Sequence, residues 1–353
     1  MTTAEDSRPV LAWGDVLSRL VAGRDLDATA TAAVMTAIME GEATPAQVAG
    51  FLVALRAKGE TTAEVAGLVK AMRGYARAVR VDGPVVDTCG TGGDRAGTFN
   101  VSTVSAIVAA GAGARVAKHG NRAASGRCGS ADLLEAWGVA IDLPPRAVEE
   151  CIERVGIGFC FAPTFHPAMR HAMTPRRELG IPTVFNFLGP LTNPAGARHQ
   201  TVGVSDEEMA PRMAGVLAQL GSTHALVFHG ADGLDELTTT GPSRVWEVRG
   251  EDVRETSFDP ADHGIPRATV DDLRGGDVEA NRRIADAVLA GERGPTRDVA
   301  LLGAAAALVA ADEADSWGEA LAAAARSVDS GDAARVLSDW VSASRRLREA
   351  GGA

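Results

Sequence analysis

Residues 87–94 read Asp-Thr-Cys-Gly-Thr-Gly-Gly-Asp, a glycine-rich stretch between a short apolar run and a segment with helical spacing. The preceding residues 84–86 (Pro-Val-Val) predict a buried strand, and residues 100–103 (Asn-Val-Ser-Thr) predict the start of a helix. A glycine turn between a strand and a helix N-terminus is typical of an anion site, because backbone N–H groups and the helix dipole point at one spot. The stretch is therefore consistent with phosphate or pyrophosphate binding, although glycine-rich turns also occur without any ligand.

The composition excludes several classes of protein. The 353 residues are 46% hydrophobic and 23% charged, which suits a globular protein with a large and a smaller domain. A formal net charge of −11 argues against a nucleic-acid or membrane-surface binder, because such proteins need a basic field. The first residues lack the pattern of a signal peptide, and no apolar run approaches the roughly 20 residues that cross a bilayer. We therefore expect a cytoplasmic protein, whose four cysteines are reduced.

The hydrophobic pattern predicts two domains and an α/β fold. Residues 1–82 predict a small helical domain, because apolar residues recur every three or four positions. Residues 83–353 predict a large α/β domain with a central, mostly parallel sheet, because short β-rich runs alternate with helical segments. The proline-rich segment at about 163–190 is expected to return to the helical domain as a hinge and helix. The predicted strands are residues 85–88, 115–118, 140–143, 158–161, 201–204 and 225–229.

A second polar motif follows the predicted strand at 115–118. Residues 118–132 include Lys118, His119, Asn121, Ser125 and Ser130, and such a run is costly to order without a ligand. Ligands of parallel sheets bind at the carboxyl ends of strands, where the glycine turn also lies. A solvated loop would explain Ser130 as a helix cap but not Lys118 at a strand end, so the pattern favours function.

Two further motifs suggest a metal and a carboxylate-bearing ligand. Asp235 and Glu236 stand between apolar residues and suit a hard cation such as Mg²⁺, which bridges protein carboxylates to phosphate. Taken alone, the same pair indicates an exposed acidic turn. Arg176, followed by residues 186–194 with their Phe and Pro side chains, suits bidentate binding of a carboxylate on a flat ring. A solvated guanidinium is the favoured interpretation for Arg170 and Arg177.

The ordered set of motifs resembles the anthranilate phosphoribosyltransferase family, whose members join anthranilate to phosphoribosyl pyrophosphate in tryptophan biosynthesis. The resemblance runs over nearly the full chain. It implies the fold of nucleoside phosphorylases and class IV phosphoribosyltransferases, with the large domain binding phosphoribosyl pyrophosphate, and a homodimer assembled through the helical domain. It rests on residues 90–94 (Gly-Thr-Gly-Gly-Asp), 118–122 (Lys-His-Gly-Asn-Arg), 188–194 (Leu-Gly-Pro-Leu-Thr-Asn-Pro), Arg176 and the Asp235-Glu236 pair.

The resemblance also implies a role for each candidate residue. As catalytic residues, Lys118 would neutralise phosphate, His119 would line the path of the aromatic substrate, and Arg176 would hold its carboxylate. Magnesium, with two ions per active site, would be bound by Ser102, Asp235 and Glu236. The substrate-binding residues would be Gly90, Thr91, Gly92, Gly93, Asp94, Thr98, Asn100, Ser102, Thr103, Lys118, Asn121, Ser125, Ser130 and Arg176.

The chain departs from the family pattern at five positions. Gly126 and Cys128 stand where serine is usual, Arg127 replaces a shorter or lysine side chain, Pro175 replaces an aliphatic residue, and Gly303 replaces asparagine. The first three place the ribose and phosphate contacts of this loop in question.

Three alternative functions stay open. The same chemistry could use another aromatic amine in a specialised pathway, because ring substituents are recognised by pocket shape. A pyrimidine-nucleoside phosphorylase is disfavoured by the Asp235-Glu236 pair and by residues 189–194. A non-catalytic relative that binds nucleic acid is disfavoured by the acidic charge and by Arg176. We therefore expect neither a nucleic acid nor a membrane as a partner.

Overall fold

The computed structural model describes residues 11–123 and 127–351, so Ser125 and Gly126 lie outside the described residues. The helices are α1 (Trp13–Val21), α2 (Ala28–Met39), α3 (Pro45–Lys58), α4 (Thr62–Gly74), α5 (Val101–Gly111), α6 (Ser130–Trp137), α7 (Pro145–Val155), α8 (Ala162–Phe165), α9 (Arg170–Leu179), α10 (Phe185–Leu188), α11 (Met209–Gln219), α12 (Val278–Leu289), α13 (Pro295–Ala310), α14 (Trp317–Asp329) and α15 (Asp332–Gly351). The strands are β1 (Val86–Gly90), β2 (Val116–Gly120), β3 (Ile157–Phe161), β4 (His199–Gly203), β5 (His224–Gly230), β6 (Ser243–Arg249) and β7 (Asp252–Phe258). None of the helices in these two ranges is long and apolar enough to cross a bilayer.

The chain forms two compact units. One comprises the described residues up to Tyr75 together with Ala168–Phe185, and the other comprises residues 76–167 and those from 186 onward. The sequence placed these boundaries at 82 and at about 163–190. Residues 76–82 associate with the large unit because the Arg77 N–H donates to the Phe165 carbonyl (2.8 Å) and the Val79 N–H to the Pro194 carbonyl (3.1 Å).

The smaller unit is helical, as the sequence predicted. Thr44 and Thr61 begin α3 and α4 with capping boxes, in which each hydroxyl accepts an N–H and the side chain three residues later accepts the threonine N–H. Glu64 is fully buried, and its carboxylate accepts the Leu26 N–H and the Lys58 ammonium, both at 2.9 Å. These contacts satisfy the buried charge, which would otherwise destabilise the unit.

The larger unit contains a seven-stranded sheet in the order β3-β2-β1-β4-β5-β6-β7. The pairs from β3 to β5 are parallel, and β6 and β7 are antiparallel, so the predicted mostly parallel sheet is confirmed. Gly90 at the end of β1 is in register with Gly203 at the end of β4. Because the carboxyl ends of parallel strands share one edge, the segments after β1, β2, β4 and β5 meet there.

The predicted strand at 140–143 is wrong. Ala140, Ile141 and Leu143 are buried in irregular backbone, and the Ala140 N–H donates to the Ser344 hydroxyl on α15 (3.1 Å). A short apolar run is buried in either case, so its composition cannot show whether its amides pair with a strand or with a side chain. The two strands of the β6–β7 hairpin were not predicted from the sequence.

The structure accounts for one departure from the family pattern. Gly303 lies where α13 packs on α5, and a Cβ there would stand 2.3 Å from the Ser105 hydroxyl. That hydroxyl donates to the Ala300 carbonyl (3.0 Å), so any side chain at 303 would displace a buried hydrogen bond. Pro175 is buried inside α9, and nothing in the structure explains the choice of proline there.

Candidate active site

The glycine turn is fixed to the end of β4. The Thr91 N–H donates to the Gly203 carbonyl (2.9 Å), and the Ser205 hydroxyl donates to the Gly92 carbonyl (2.7 Å). Gly92 and Gly93 have φ of +66° and +85°, a conformation that side chains rarely adopt. No role was predicted for Ser205, because nothing in the sequence links it to a turn more than a hundred residues earlier.

The Asp235 carboxylate contacts this turn directly. Its Oδ2 accepts the Gly92 N–H at 2.7 Å, which is the type of donor that an anion site offers to phosphate. The close approach needs small residues, since a Cβ on Gly90 would stand 2.2 Å from Asp235 Oδ2 and one on Gly203 only 1.6 Å from the Asp235 carbonyl oxygen. The predicted anion-binding turn and the predicted metal ligand are therefore in contact. The Asp235 carboxylate occupies the Gly92 N–H, which is the donor expected for a bound phosphate.

Three carboxyl groups converge at this point. The Asp94 charge acts on Asp235, the charges of both act on Glu236, and Glu236 accepts the Ser102 N–H. Burial raises the pKa of Asp235, and the Asp94 charge raises it further. Burial and the Asp235 charge likewise raise the pKa of Glu236 well above its usual range, against the opposing effect of Lys118. The cluster is therefore short of positive charge, which fits a divalent cation.

The arrangement does not form a complete metal cage. Within residues 11–123 and 127–351, no three His, Cys, Asp or Glu side chains are placed to hold a metal ion by themselves. This fits Mg²⁺, which keeps several waters and binds through one or two carboxylates together with a substrate phosphate.

Lys118 is the central residue of β2, not its last residue as the sequence predicted, and it is held between β1 and the N-terminus of α5. It is 1% exposed, and its ammonium donates to the Thr88 carbonyl (2.6 Å), with the Thr88 and Ser102 hydroxyls each at 3.4 Å. Burial lowers the pKa of Lys118, while the charges of Asp87, Cys89 and Glu236 oppose that effect. The structure thus places the Lys118 ammonium 3.4 Å from the hydroxyl of the predicted metal ligand Ser102, where the charge of Glu236 also acts on it.

Asp87 joins β1 to β2 and to the 188–194 motif. It is fully buried, accepts the His119 N–H (2.9 Å) and hydrogen bonds to the Asn193 side chain. The Asn193 amide also donates to the Ala117 carbonyl (2.7 Å). Burial raises the pKa of Asp87, although these contacts and the Lys118 charge oppose the change. The 188–194 motif therefore supports β1, which leads into the glycine turn, and β2, which carries Lys118.

His119 is a neutral imidazole with one nitrogen available. Its Nδ1 stands 3.0 Å from the Gly189 carbonyl, which can only accept, so Nδ1 carries the proton. Nε2 is buried and has no hydrogen-bond partner among the described residues. Burial and the nearby His166 ring, at 5.1 Å between centroids, lower the pKa of His119 to about 3, and burial lowers the pKa of His166 to about 4. No role was predicted for His166 from the sequence.

The loop after β2 is tied to α5 and to itself. Asn100 donates to the Cys128 carbonyl (3.0 Å), and the Ser130 hydroxyl donates to the Asn121 carbonyl (3.2 Å). Arg122 pairs with Asp132 (2.9 Å) and with Glu135, which raises its pKa and occupies its guanidinium. Arg122 therefore shapes the loop, although it stands in the predicted motif. Arg127 is exposed.

The remaining predicted residues lie at the edges of this region or outside it. Thr98 forms a β-bridge with Arg274, and Thr103 is buried. Arg176 belongs to the helical unit, where its guanidinium lies 5.0 Å from the centre of the Phe185 ring. Burial lowers the pKa of Arg176, and no acidic side chain pairs with it in the part of the chain that the structure describes. Its charge is therefore available to an anionic ligand.

Comparison with known proteins gives consistent results over both units. Residues 82–334 match the glycosyl transferase family a/b domain, and residues 14–76 match the helical bundle domain of the same family. Proteins named anthranilate phosphoribosyltransferase from Arthrobacter sp. (strain FB24) and Nocardioides sp. (strain ATCC BAA-499 / JS614) are 56% and 57% identical over 339 residues, which cover 94% and 95% of this chain and 96% and 99% of theirs.

Solved structures agree with these matches. The anthranilate phosphoribosyltransferase of Thermus thermophilus aligns with a TM-score of 0.89 at 46% identity, over 94% of this chain and 99% of its own. The Saccharomyces cerevisiae enzyme in complex with PRPP and Mg aligns with a TM-score of 0.87 at 28% identity, over 96% and 99%. The same yeast enzyme in complex with 4-fluoroanthranilate aligns with a TM-score of 0.82 at 27% identity, over 95% and 99%.

Proposed function

The chain belongs to the anthranilate phosphoribosyltransferase family, and we propose that it transfers the phosphoribosyl group of phosphoribosyl pyrophosphate to the amine of anthranilate. The products are phosphoribosylanthranilate and pyrophosphate, in tryptophan biosynthesis. The single observation that carries this proposal is the meeting of the glycine turn, Lys118 and the Asp235-Glu236 pair at one edge of the sheet. The yeast relative described with PRPP and Mg supports the choice of donor and cation.

The turn and Lys118 stabilise the leaving group. As the bond between the anomeric carbon and pyrophosphate breaks, negative charge grows on pyrophosphate, and donors fixed in advance stabilise it at little cost. The Gly92 N–H is such a donor, and an arriving phosphate must replace Asp235 on it. The displaced carboxylate is then available to a cation. Lys118, held by Thr88, contributes a fixed positive charge.

Mg²⁺, when bound, supplies positive charge to the departing pyrophosphate and binds it to the protein. Asp235 and Glu236 would hold it, with Ser102 as a further oxygen ligand. Burial and mutual repulsion raise the pKa values of the two carboxyls, and a bound cation would offset both effects. Two ions per active site remain our expectation.

Anthranilate needs orientation more than activation. Its aryl amine is already neutral at pH 7, so the new C–N bond can form before the extra proton is lost from nitrogen. Arg176 would hold the anthranilate carboxylate through two parallel N–H donors. His119 Nε2 is an acceptor for an amine N–H, but a pKa of about 3 makes His119 a poor carrier of the proton at pH 7.

The helical unit offers a surface for the proposed homodimer. Val21 is 80% exposed and lies in a groove of about 630 Å³ between α1 and α3, which Leu20, Ala49, Gly50 and Val53 also line. A contiguous apolar surface of this kind is typical of a protein interface.

The direct test measures turnover of anthranilate. Purified protein, anthranilate, phosphoribosyl pyrophosphate and MgCl₂ are expected to give a loss of anthranilate fluorescence, which EDTA abolishes. Other aromatic amines in place of anthranilate test the alternative acceptor, and a pyrimidine nucleoside with phosphate tests the phosphorylase. Folded protein that shows no turnover of anthranilate would overturn the proposal.

A further inference from the structure

A buried asparagine lies behind the proposed donor site. Asn281, on α12, is 2% exposed, and its amide is hydrogen bonded at both ends. The Gly276 N–H donates to its Oδ1 (2.6 Å), and its Nδ2 donates to the Asn100 Oδ1 (2.8 Å). The side chain also hydrogen bonds to the Cys128 thiol. A backbone N–H can only donate, so the contact with Gly276 fixes which end of the Asn281 amide faces Asn100.

The orientation of the Asn281 amide determines the orientation of the Asn100 amide. Since Asn281 presents an N–H, Asn100 must present its oxygen, and its own Nδ2 then donates to the Cys128 carbonyl (3.0 Å). That contact uses one of the two N–H groups on Nδ2. Among the residues that the structure describes, the other N–H of Asn100 has no acceptor, so it can donate to an oxygen of a ligand. We propose that Asn281 is a positioning residue for the sugar-phosphate donor, which acts by fixing the Asn100 amide in its donating orientation.

The surrounding backbone leaves little freedom for another arrangement. The Phe99 N–H donates to the Leu273 carbonyl (3.0 Å) and the Gly275 N–H to the Gly97 carbonyl (2.8 Å), so the segment before α5 is paired with the segment before α12. A Cβ on Gly275 would stand 2.4 Å from Asn281 Oδ1 and 2.8 Å from the Phe99 Cα. Asn281 therefore fills a tight space, in which a rotated amide would lose its backbone donor.

This inference rests on the proposed function, because it assigns Asn100 to the binding of phosphoribosyl pyrophosphate. A double-mutant cycle between Asn100→Ala and Asn281→Ala tests it. Each single variant is expected to raise the KM for phosphoribosyl pyrophosphate about tenfold, the typical effect of one lost hydrogen bond, with the KM for anthranilate unchanged. In the Asn100→Ala background, Asn281→Ala should add less than about twofold, since the proposed route from Asn281 to the donor runs through the Asn100 amide.

Ser327→Ala is the matched control for a purely structural effect. Ser327 is 2% exposed, and its hydroxyl donates to the Val108 carbonyl near the other end of α5 (2.8 Å). It should lower thermal stability by an amount similar to Asn281→Ala and leave both KM values unchanged. A KM increase in this control as large as in Asn281→Ala would overturn the inference.

Two further outcomes would contradict the positioning role. Independent effects in the cycle, with the double variant about a hundredfold above wild type, would show that Asn281 does not act through Asn100. Unchanged KM values in Asn281→Ala would show that it has no effect on the donor. Calorimetric binding of phosphoribosyl pyrophosphate with MgCl₂ distinguishes failure of this inference from failure of the proposed function. Wild-type protein that binds phosphoribosyl pyrophosphate but does not turn over anthranilate would contradict only the choice of anthranilate as acceptor. Wild-type protein that does not bind phosphoribosyl pyrophosphate would overturn both proposals.

Discussion

Alanine at position 203 is expected to disable the enzyme while leaving it folded. Gly203 ends β4 directly opposite the Asp235 backbone, and an added Cβ would lie 1.6 Å from the Asp235 carbonyl oxygen. Real Cβ contacts essentially never fall below 3.0 Å, so the two backbones must separate by at least about 1.4 Å, the difference between these distances. The atom in the way is backbone and cannot rotate aside. The loop that carries Asp235 and Glu236 must therefore move.

The size of that movement sets the expected loss of activity. A displacement of about 1 Å in groups that position a reaction can cost about a hundredfold in rate. Overpacking of this kind costs about 1–3 kcal/mol of stability, less than the total of a typical domain. Gly203→Ala should thus retain its circular dichroism spectrum, lose at least about a hundredfold in rate, and need more Mg²⁺ for half-maximal activity. Initial rates over a range of MgCl₂ concentrations measure both effects.

Alanine at two other glycines should have smaller effects, because an added Cβ meets less there. Gly241 lies in the segment after β5 that also carries Asp235, and a Cβ there meets only the Ala231 Cβ, at an ordinary 3.8 Å, so Gly241→Ala should keep its rate within about twofold. Gly90→Ala meets the Asp235 carboxylate tip at 2.2 Å, which can rotate, so its loss should be intermediate. The reasoning is refuted if folded Gly203→Ala keeps the wild-type rate and Mg²⁺ dependence, or if Gly241→Ala loses as much.

Three further outcomes are expected. Asp235→Asn combined with Glu236→Gln should abolish the Mg²⁺ dependence and most of the rate. The same double variant should raise the melting temperature in EDTA at pH 8, because burial raises the pKa of both carboxyls and charging them destabilises the fold. A lower melting temperature in calorimetry would contradict this. Arg176→Lys should raise the KM for anthranilate about tenfold but not that for phosphoribosyl pyrophosphate, because lysine cannot bind a carboxylate through two parallel N–H donors. Equal increases in both KM values in steady-state kinetics would count against the role of Arg176. The pKa values of His119 and His166 are lowered to about 3 and about 4 in the folded protein. As pH falls below about 6.5, only the unfolded state takes up protons on these two rings. The free energy of unfolding should therefore fall by about 1.4 kcal/mol per pH unit for each ring. Urea unfolding of wild type and His166→Gln at pH 7 and pH 5 should therefore show a pH dependence shallower by about 2 kcal/mol in the variant, and equal dependences would refute the assignment.

The fold was predictable where composition and position agree. The runs at 85–88 and 115–118 are apolar and β-rich and are followed by glycine or polar residues, so both strands and the sheet edge that they share could be recognised. The run at 140–143 has the same composition, but its backbone partner is Ser344, which no local pattern reveals. The β6–β7 hairpin was missed for the opposite reason, because exposed charged residues such as Arg244 and Arg254 interrupt its apolar pattern.

The site shows the same limit at the level of single contacts. Both the glycine turn and the Asp235-Glu236 pair were recognisable, because each is a short run of residues with its own chemistry. Their contact was not, because the Gly92 N–H and the Asp235 carboxylate are 143 positions apart and meet only through the register of β1 with β4. That contact makes the two motifs interdependent, since the Asp235 carboxylate occupies the Gly92 N–H that a phosphate would need. We therefore expect donor binding and cation binding to be coupled: a phosphate that binds the Gly92 N–H would release the Asp235 carboxylate, and a cation that binds the carboxylate would free that N–H.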